Sequence, residues 1–299
     1  MGKMSKVLER KGRALKEAVA PPQDISAPPA DKKSPERAAP PAPEPEVKAT
    51  PSQTPGRKVS RKPSDRERIE EERERLVSYF APSSPQGKRI DILRSQLLYP
   101  FHGDTPRTIM ITSAVPREGR SLLAANLSIS FARGLQQFVI LMDCNLMEPA
   151  IHHLLAVPRR PGLSDYLEGR ATVPQIIHPS RVDKLQVVPA GESSERSAEI
   201  LATDKMAALV EELRARYRDR YIILDTPPVQ AVDDPAVLAR MVEGIIFVVL
   251  SGSTDREVAM RSLSMLPEEK IIGLVLNDKL SAVSDVGNVA AIHAAREGS

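Results

Sequence analysis

The fold is decided by the stretch Ile109-Met110-Ile111-Thr112-Ser113-Ala114-Val115-Pro116-Arg117-Glu118-Gly119-Arg120-Ser121. Its apolar start predicts a buried strand at Ile109–Thr112, and the loop from Ala114 to Ser121 leads directly into a predicted helix. A strand, a tight loop and a helix N-terminus in this order point backbone N–H groups at an anion. Gly119 allows the backbone to approach a phosphate closely, and the Ser121 hydroxyl can bind Mg²⁺. The stretch therefore predicts a phosphate-binding loop (P-loop), the alternative being an ordinary strand-to-helix turn.

The loop departs from the standard pattern, which has Gly at position 114 and Lys at position 120. This sequence has Ala114 and Arg120 instead. The loop lysine is a compact point charge that can follow phosphate oxygens, whereas arginine is longer, planar and forked. We expect Arg120 to bind phosphate from a different position, so that nucleotide binding survives the change more easily than phosphoryl transfer.

Two carboxylates come directly after predicted strands. Asp143 follows Phe138–Met142, and Asp225 follows Tyr221–Leu224. Ligands of open α/β sheets bind beyond the carboxyl ends of the strands, so both side chains are expected opposite the loop. We expect Asp225 to bind the Mg²⁺ shell or to cap a turn, and Asp143 to polarise a nucleophile or hold metal-bound water. Asn145 cannot ionise and therefore cannot accept a proton at neutral pH.

Short apolar runs alternate with amphipathic stretches along the rest of the chain. The six predicted strands are Ile109–Thr112, Phe138–Met142, Leu185–Val188, Tyr221–Leu224, Ile245–Leu250 and Ile271–Leu276. Most are continuous Val/Ile/Leu runs, typical of strands buried on both faces of a parallel sheet. Leu122–Arg133 and Ala198–Tyr217 are predicted crossover helices. The sequence thus predicts a doubly wound α/β fold with a mainly parallel sheet of the P-loop NTPase type.

Two helical stretches are predicted before the first strand. Arg66 to Phe80 is strongly charged, and a second helix begins at Pro85 with Ser84 as its cap. The second helix carries apolar side chains at helical spacing, which we expect to pack on the main domain: Ile90, Leu93, Leu97 and Leu98.

The N-terminal region has a different composition. Residues 20–66 hold 12 of the 27 prolines and no aromatic residue, so they cannot bury enough apolar surface to offset the entropy of ordering. Residues 3–19 carry six Lys/Arg and two Glu beside a thin apolar face. They are expected either to dock on an anionic membrane surface or a partner, or to form a solvated helix, which is the interpretation we favour.

Composition excludes several classes of protein. No apolar run approaches the roughly 20 residues that span a bilayer, and no secretory signal is visible, so we expect a cytoplasmic protein. The single Cys144 excludes a disulfide framework. The net charge of +3 is too small to indicate a nucleic-acid partner.

The motifs together resemble the bacterial protein-tyrosine kinases (BY-kinases) of capsule and exopolysaccharide synthesis, over about residues 84–278. The matching segments are Pro116-x-Glu118-Gly119-x-Ser121, Asp143 to Pro149, Pro161-Gly162-Leu163-Ser164-Asp165-Tyr166-Leu167 and Asp225-Thr226-Pro227-Pro228. The expected organisation is a basic amphipathic segment (1–19), a disordered Pro/Ala-rich linker (20–66), a helical lead-in (67–104), a P-loop kinase-like domain (105–280) and a flexible tail (281–299).

The resemblance implies ATP and Mg²⁺ as ligands. It also implies a membrane-spanning polysaccharide chain-length determinant as the partner, peripheral attachment to the inner face of the cell membrane through it, and a homo-oligomer. The implied catalytic residues are Asp143 and Arg120, and the implied metal ligands are Ser121, Asp143 and Asp225. The implied nucleotide-binding residues are Arg117, Glu118, Gly119, Arg120, Ser121, Leu122 and Asn277. For Asn277, which would contact adenine, the alternative is a strand-end turn.

The sequence also departs from the family pattern. Arg117 replaces a loop Gly, Arg120 the loop Lys, Asn145 the second Asp of the acidic motif and Met147 a basic residue. The family's oligomerisation pattern Glu-x-x-Arg-x-x-Arg aligns with Lys88, Asp91 and Arg94, so that only the last position is kept. The last tyrosine is Tyr221, whereas the family carries a tyrosine cluster in its tail, so tail autophosphorylation is not expected.

Three functions are compatible with these residues. We favour a nucleotide-binding or merely partner-binding regulator of polysaccharide synthesis with weak or lost tyrosine autokinase activity. The second is an active tyrosine kinase that phosphorylates another protein. The third is an ATPase that positions plasmids or the division site, against which the absence of a lysine at Val115 argues.

Overall fold

The computed structural model describes residues 70–278, except for residues 72, 101–103, 194–195, 218 and 232–234. The predictions for residues 1–19, 20–66 and 281–299 lie outside the described residues.

One sheet of seven strands runs through the described part of the chain. Its strands are β1 (Thr108–Ser113), β2 (Phe138–Asp143), β3 (His178–Pro179), β4 (Leu185–Val188), β5 (Arg220–Asp225), β6 (Gly244–Leu250) and β7 (Ile271–Asn277). Their order in the sheet is β3-β4-β2-β5-β1-β6-β7, and all neighbouring pairs are parallel except β3 and β4. The six predicted strands and the mainly parallel sheet are confirmed.

Helices connect the strands. They are α1 (Val77–Phe80), α2 (Pro85–Leu98), α3 (Arg120–Arg133), α4 (Ile151–Leu155), α5 (Leu163–Leu167), α6 (Val173–Ile176), α7 (Ser197–Leu201), α8 (Asp204–Arg216), α9 (Pro235–Arg240) and α10 (Arg256–Ser264). Short 3₁₀ turns lie at Val229–Ala231 and Glu268–Lys270.

The prediction of one helix over Ala198–Tyr217 is wrong, because the chain forms α7 and α8 there. Ala202 is the C-cap of the first helix and Thr203 the N-cap of the second, and the Thr203 hydroxyl accepts the Met206 N–H at 3.4 Å. Because the side chain of Thr competes for backbone donors, it favours a helix start over a helix interior.

Apolar side chains fill both faces of the sheet. Along β1, Met110 belongs to one buried cluster, whereas Ile109 and Ile111 belong to the other. Along β5, Ile222 and Ile223 divide in the same way. Alternate residues of a strand point to opposite faces, so these two central strands are buried on both sides. This doubly wound arrangement leaves the strand ends as the accessible part of the sheet.

The lead-in helix α2 packs on α3, as predicted. Leu93 and Leu97 are buried in the same cluster as α3, and Ile90 and Leu98 are partly buried against it. Ser84 is the N-cap of α2, and its hydroxyl accepts the Gly87 N–H at 3.1 Å.

We expect Ser84→Ala to lower the free energy of unfolding by about 1 kcal/mol, because one backbone donor of α2 loses its acceptor. Urea unfolding of the two chains measures the change. Ser95→Ala is the matched control, since the exposed Ser95 hydroxyl donates only to the carbonyl of Asp91 one turn earlier in the helix. Equal losses in the two variants would contradict a capping role for Ser84.

Within the described residues, no helix combines the length and the apolar character needed to cross a membrane.

Candidate functional site

The polar motifs come together where the central strands end. The loop from Ala114 to Gly119 joins β1 to α3. Asp143 and Asp225 are the last residues of β2 and β5, and these two residues are partners in the parallel pairing. The structure therefore places the loop and both carboxylates at one edge of the sheet.

The loop turns through two residues with positive φ, Arg117 at 67° and Gly119 at 90°. Helix α3 begins at Arg120, so the N–H groups of Ser121 and Leu122 lie in its first turn. Such N–H groups have no acceptor within the helix. They are thus free to bind an anion, as the sequence predicts.

The Glu118 side chain is 1% exposed, and both of its carboxylate oxygens have partners within the protein. One carboxylate oxygen accepts the Val115 N–H at 2.8 Å. The other accepts the Thr254 hydroxyl and the Leu250 N–H. The Glu118 side chain therefore ties the loop to the end of β6, and a contribution of this residue to nucleotide binding stays a prediction.

Asn277 ends β7 and lies against the loop. Its side-chain amide donates to the Glu118 carbonyl oxygen at 2.8 Å. A Cβ atom at Gly119 would lie only 2.2 Å from the amide nitrogen of Asn277. Glycine is thus required at position 119 by this contact as well as by φ, and the predicted contact of Asn277 with adenine stays a prediction.

The Arg120 side chain folds under the loop and is 5% exposed. Its Nε donates to the Thr226 carbonyl oxygen at 2.8 Å, and its Nη1 donates to the Ser113 hydroxyl at 3.2 Å. Ser113 ends β1, and Thr226 directly follows β5. The guanidinium is therefore held between the ends of two neighbouring strands.

Asp225 is completely buried, and its carboxylate oxygens make no hydrogen bond of standard geometry within the described residues, although the Ser121 hydroxyl lies close enough to lower its pKa. Burial raises its pKa to about 6, while the Arg120 guanidinium and the Ser121 hydroxyl act in the opposite direction. Because buried polar atoms in folded proteins normally have a partner, these two oxygens are available to a cation or a polar ligand.

Asp143 is also completely buried, but its oxygens have partners. They accept the N–H groups of Asn145, Ala150 and Ile151, each at 3.1 Å. Burial and the like charge of Asp225 nevertheless raise the pKa of Asp143 well above its usual value. The carboxylate thus organises the loop between β2 and α4, in addition to facing Asp225.

The residues at this edge fit a magnesium ion. Asp225 offers two oxygens without partners, and the Ser121 hydroxyl lies close to it. Mg²⁺ prefers such oxygen ligands and keeps several waters or phosphate oxygens as well. It does not need a cage of protein ligands, and the described residues contain no group of three or more His, Cys, Asp or Glu able to hold a metal.

Three residues of the site were not predicted: Ser113, Thr226 and Thr254. Ser113 and Thr226 accept from Arg120, and Thr254 donates to Glu118. Ser113 and Thr226 adjoin predicted motifs. The polar residue at each of these strand ends was the sequence feature that could have indicated them as site residues. No sequence motif includes Thr254, so its contact with Glu118 could not be predicted.

No family model matches the chain. The tyrosine-protein kinase YwqD of Bacillus subtilis (strain 168) is 30% identical over 215 residues, which are 71% of this chain and 90% of YwqD. The chain belongs to the bacterial tyrosine-protein kinase family.

A solved BY-kinase structure has the same fold. The kinase domain of the Escherichia coli tyrosine kinase Etk superposes with a TM-score of 0.63 at 26% identity, over 71% of this chain and 84% of that domain. This confirms the predicted P-loop α/β fold.

A longer relative is the succinoglycan biosynthesis transport protein ExoP of Rhizobium meliloti (strain 1021). It is 32% identical over 180 residues, which are 58% of this chain and 22% of ExoP. The likeness therefore covers only a minor part of ExoP.

The positions aligned with the BY-kinase oligomerisation pattern hold α2 against α3 in this chain. Arg94 donates to the Ser130 carbonyl oxygen at 2.6 Å, and Asp91 accepts the Ser130 hydroxyl. Asp91 and Arg94 also form an ion pair at 3.6 Å. Both side chains are thus engaged within the chain.

Proposed function

We propose that this BY-kinase homologue is a cytoplasmic, nucleotide-binding regulator of exopolysaccharide or capsule synthesis with weak or lost tyrosine kinase activity. The position of Arg120 carries the proposal, because its guanidinium donates to the Thr226 carbonyl oxygen and the Ser113 hydroxyl. Phosphoryl transfer depends almost entirely on charge positioned around the phosphates. A cation held by two acceptors of the sheet edge cannot follow that charge as a loop lysine does.

The acidic motif supports the same proposal. Asn145 takes the place of a carboxylate, and its amide donates to the Glu148 carbonyl oxygen at 2.8 Å. It therefore stabilises its own loop and cannot act as a base.

Nucleotide binding is the part of the BY-kinase site that this geometry favours. The N–H groups of Ser121 and Leu122 would bind phosphate, while the Ser121 hydroxyl and Asp225 would hold Mg²⁺. Asp143 would act on the metal through water, since its own oxygens already accept three N–H groups. Magnesium supplies positive charge to the phosphates when it is bound with ATP.

The proposed pathway and partner rest on relatives. ExoP is named for succinoglycan biosynthesis transport, which supports a role for this chain in exopolysaccharide export. We therefore propose a membrane-spanning chain-length determinant as the partner, through which the chain would be recruited to the inner face of the membrane.

The repaired variant Arg120→Lys plus Asn145→Asp tests the proposal. We expect it to form phosphotyrosine at least about 100-fold faster than the natural chain, since one positioned charge is worth about that factor. The measurement is phosphotyrosine formed with ATP, Mg²⁺ and the cytoplasmic tail of the membrane partner. Adding Asp225→Ala to the repaired variant is the control and should abolish the signal.

A second candidate is an active kinase that tolerates Arg120. The observation in its favour is that Ser121, Asp143 and Asp225 are all present at the site. Robust phosphotyrosine from the natural chain, lost in Asp225→Ala, would establish this function and overturn the first.

A further inference from the structure

The loop Ala114–Ser121 carries two cationic side chains, Arg117 and Arg120. Arg120 is 5% exposed, and its guanidinium donates to the Thr226 carbonyl oxygen and the Ser113 hydroxyl. Arg117 is exposed and makes no hydrogen bond or ion pair with another described residue. Of the two loop cations, Arg117 is therefore the one whose charge is available to a ligand.

Arg117 has a backbone conformation that suits glycine. Its φ is 67°, and a residue with a side chain incurs a steric cost in this left-handed region that glycine avoids. The loop does not depend on the Arg117 side chain for its shape, because the Glu118 carboxylate accepts the Val115 N–H at 2.8 Å and the Glu118 carbonyl oxygen accepts the Asn277 amide. Residues that the surrounding structure holds in strained conformations are concentrated at ligand-binding sites. The fold therefore gives no reason for arginine at this position, and a ligand would give one.

The site beside Arg117 suits a phosphate chain with its magnesium ion. Helix α3 begins three residues after Arg117, and the free N–H groups of its first turn favour an anion. The buried Asp225 oxygens make no hydrogen bond of standard geometry within the described residues, so they are available to Mg²⁺. The phosphates of ATP stay negatively charged after Mg²⁺ has bound, and a further cation stabilises them. A guanidinium matches two phosphate oxygens with its planar fork and forms charge-assisted hydrogen bonds with them.

We propose that Arg117 binds the phosphates of a magnesium-bound nucleoside triphosphate and is the cation of this P-loop in place of Arg120. The proposal rests on the nucleotide site proposed above and adds to it the residue that supplies positive charge from the protein. An exposed arginine without a partner in the described residues has to be ordered by the phosphates themselves. It therefore adds affinity, but it does not present the pre-positioned charge that phosphoryl transfer needs. This role of Arg117 agrees with nucleotide binding and with weak or lost kinase activity.

Calorimetric titration of the full chain with Mg²⁺ and AMP-PNP, an ATP analogue whose terminal phosphate is not transferred, tests the proposal. We expect Arg117→Gly to weaken binding by about 10-fold to 100-fold, because a charge-assisted contact with phosphate is lost. Thermal unfolding without nucleotide should change in the opposite direction. The Tm of Arg117→Gly should lie about 1–4 °C above that of the natural chain, since glycine relieves the strain of the positive φ. A residue that served the fold alone would lose affinity and stability together.

Three further variants separate the charge of Arg117 from its backbone strain. Arg117→Gln keeps the strained φ without the charge, so it should bind AMP-PNP about as weakly as Arg117→Gly but have the Tm of the natural chain. Arg117→Lys keeps the charge without the planar fork and should bind more tightly than Arg117→Gln. Ala156→Gly relieves another positive φ, 51°, directly after α4, and should raise the Tm without changing the affinity.

The titrations distinguish failure of this proposal from failure of the proposed function. Binding of AMP-PNP that is equally tight in the natural chain, in Arg117→Gly and in Arg117→Gln would overturn the role of Arg117 and leave the nucleotide site intact. Absence of binding in all of the chains would instead overturn the proposed nucleotide site, and the role of Arg117 with it.

Discussion

The stability of the natural chain is expected to fall by about 3 kcal/mol between about pH 4 and pH 7 through Asp225. The folded state raises the pKa of this carboxyl to about 6, chiefly because it is buried. As the pH rises from the unfolded pKa towards the folded one, the unfolded state loses its proton first. The folded state is therefore penalised increasingly with pH, and the penalty is complete above the folded pKa.

Urea unfolding of the natural chain and of Asp225→Asn across this pH range measures the effect. We expect Asp225→Asn to make the profile less steep, with the buried Asp143 keeping part of the slope. The variant should also be the more stable chain at neutral pH, although an unsatisfied buried amide offsets about 1 kcal/mol of the gain. Asp219→Asn is the control, because the Asp219 side chain is 63% exposed and its removal should leave the profile unchanged. A profile of Asp225→Asn parallel to that of the natural chain would exclude Asp225 as the source.

The second large effect is expected from Gly119→Ala, which should lower the Tm by about 5–12 °C. The new Cβ would lie 2.2 Å from the Asn277 amide nitrogen, and φ at this residue is 90°. The positive φ costs about 1–2 kcal/mol, and loss of the hydrogen bond from Asn277 to the Glu118 carbonyl oxygen costs about 1 kcal/mol more. Differential scanning calorimetry of the two chains measures the change.

Gly252→Ala separates the two causes. Gly252 also has a positive φ, 67°, but a Cβ atom there would meet nothing within 4 Å. Its variant should therefore show only the backbone cost, and the extra loss in Gly119→Ala reports the contact with Asn277. Equal losses in the two variants would show that this contact contributes nothing to the stability of the loop.

The main sheet could be predicted because its strands are buried on both faces. Such strands consist of consecutive apolar residues, which are visible in the sequence. His178–Pro179 escaped prediction, since it is a two-residue edge strand that contains proline and pairs antiparallel with β4. An edge strand of this kind needs no apolar run. The break at Thr203 was missed because the apolar spacing continues through it, although Thr203-Asp204 is a typical helix start.

The site could be predicted as far as the backbone fixes it. Ser121 was predicted from the loop after the first strand, and Asp143 and Asp225 from their positions at strand ends. The structure has all three at one edge of the sheet. The directions of the Arg120 and Asn277 side chains could not be predicted, because the carbonyl oxygens that accept from them, those of Thr226 and Glu118, lie 106 and 159 residues away in the chain. Long-range contacts of single polar side chains leave no periodic signal in a sequence.

The P-loop also has a structural role. Glu118 attaches it to the end of β6, and Asn277 at the end of β7 donates to it. A relative that no longer bound nucleotide would still need Glu118 and Gly119 to hold the loop against the ends of β6 and β7. Selection for a stable fold would then preserve Glu118 and Gly119 even without selection for nucleotide binding. An intact Glu118-Gly119 pair is thus explained by the packing of the loop alone, without nucleotide binding.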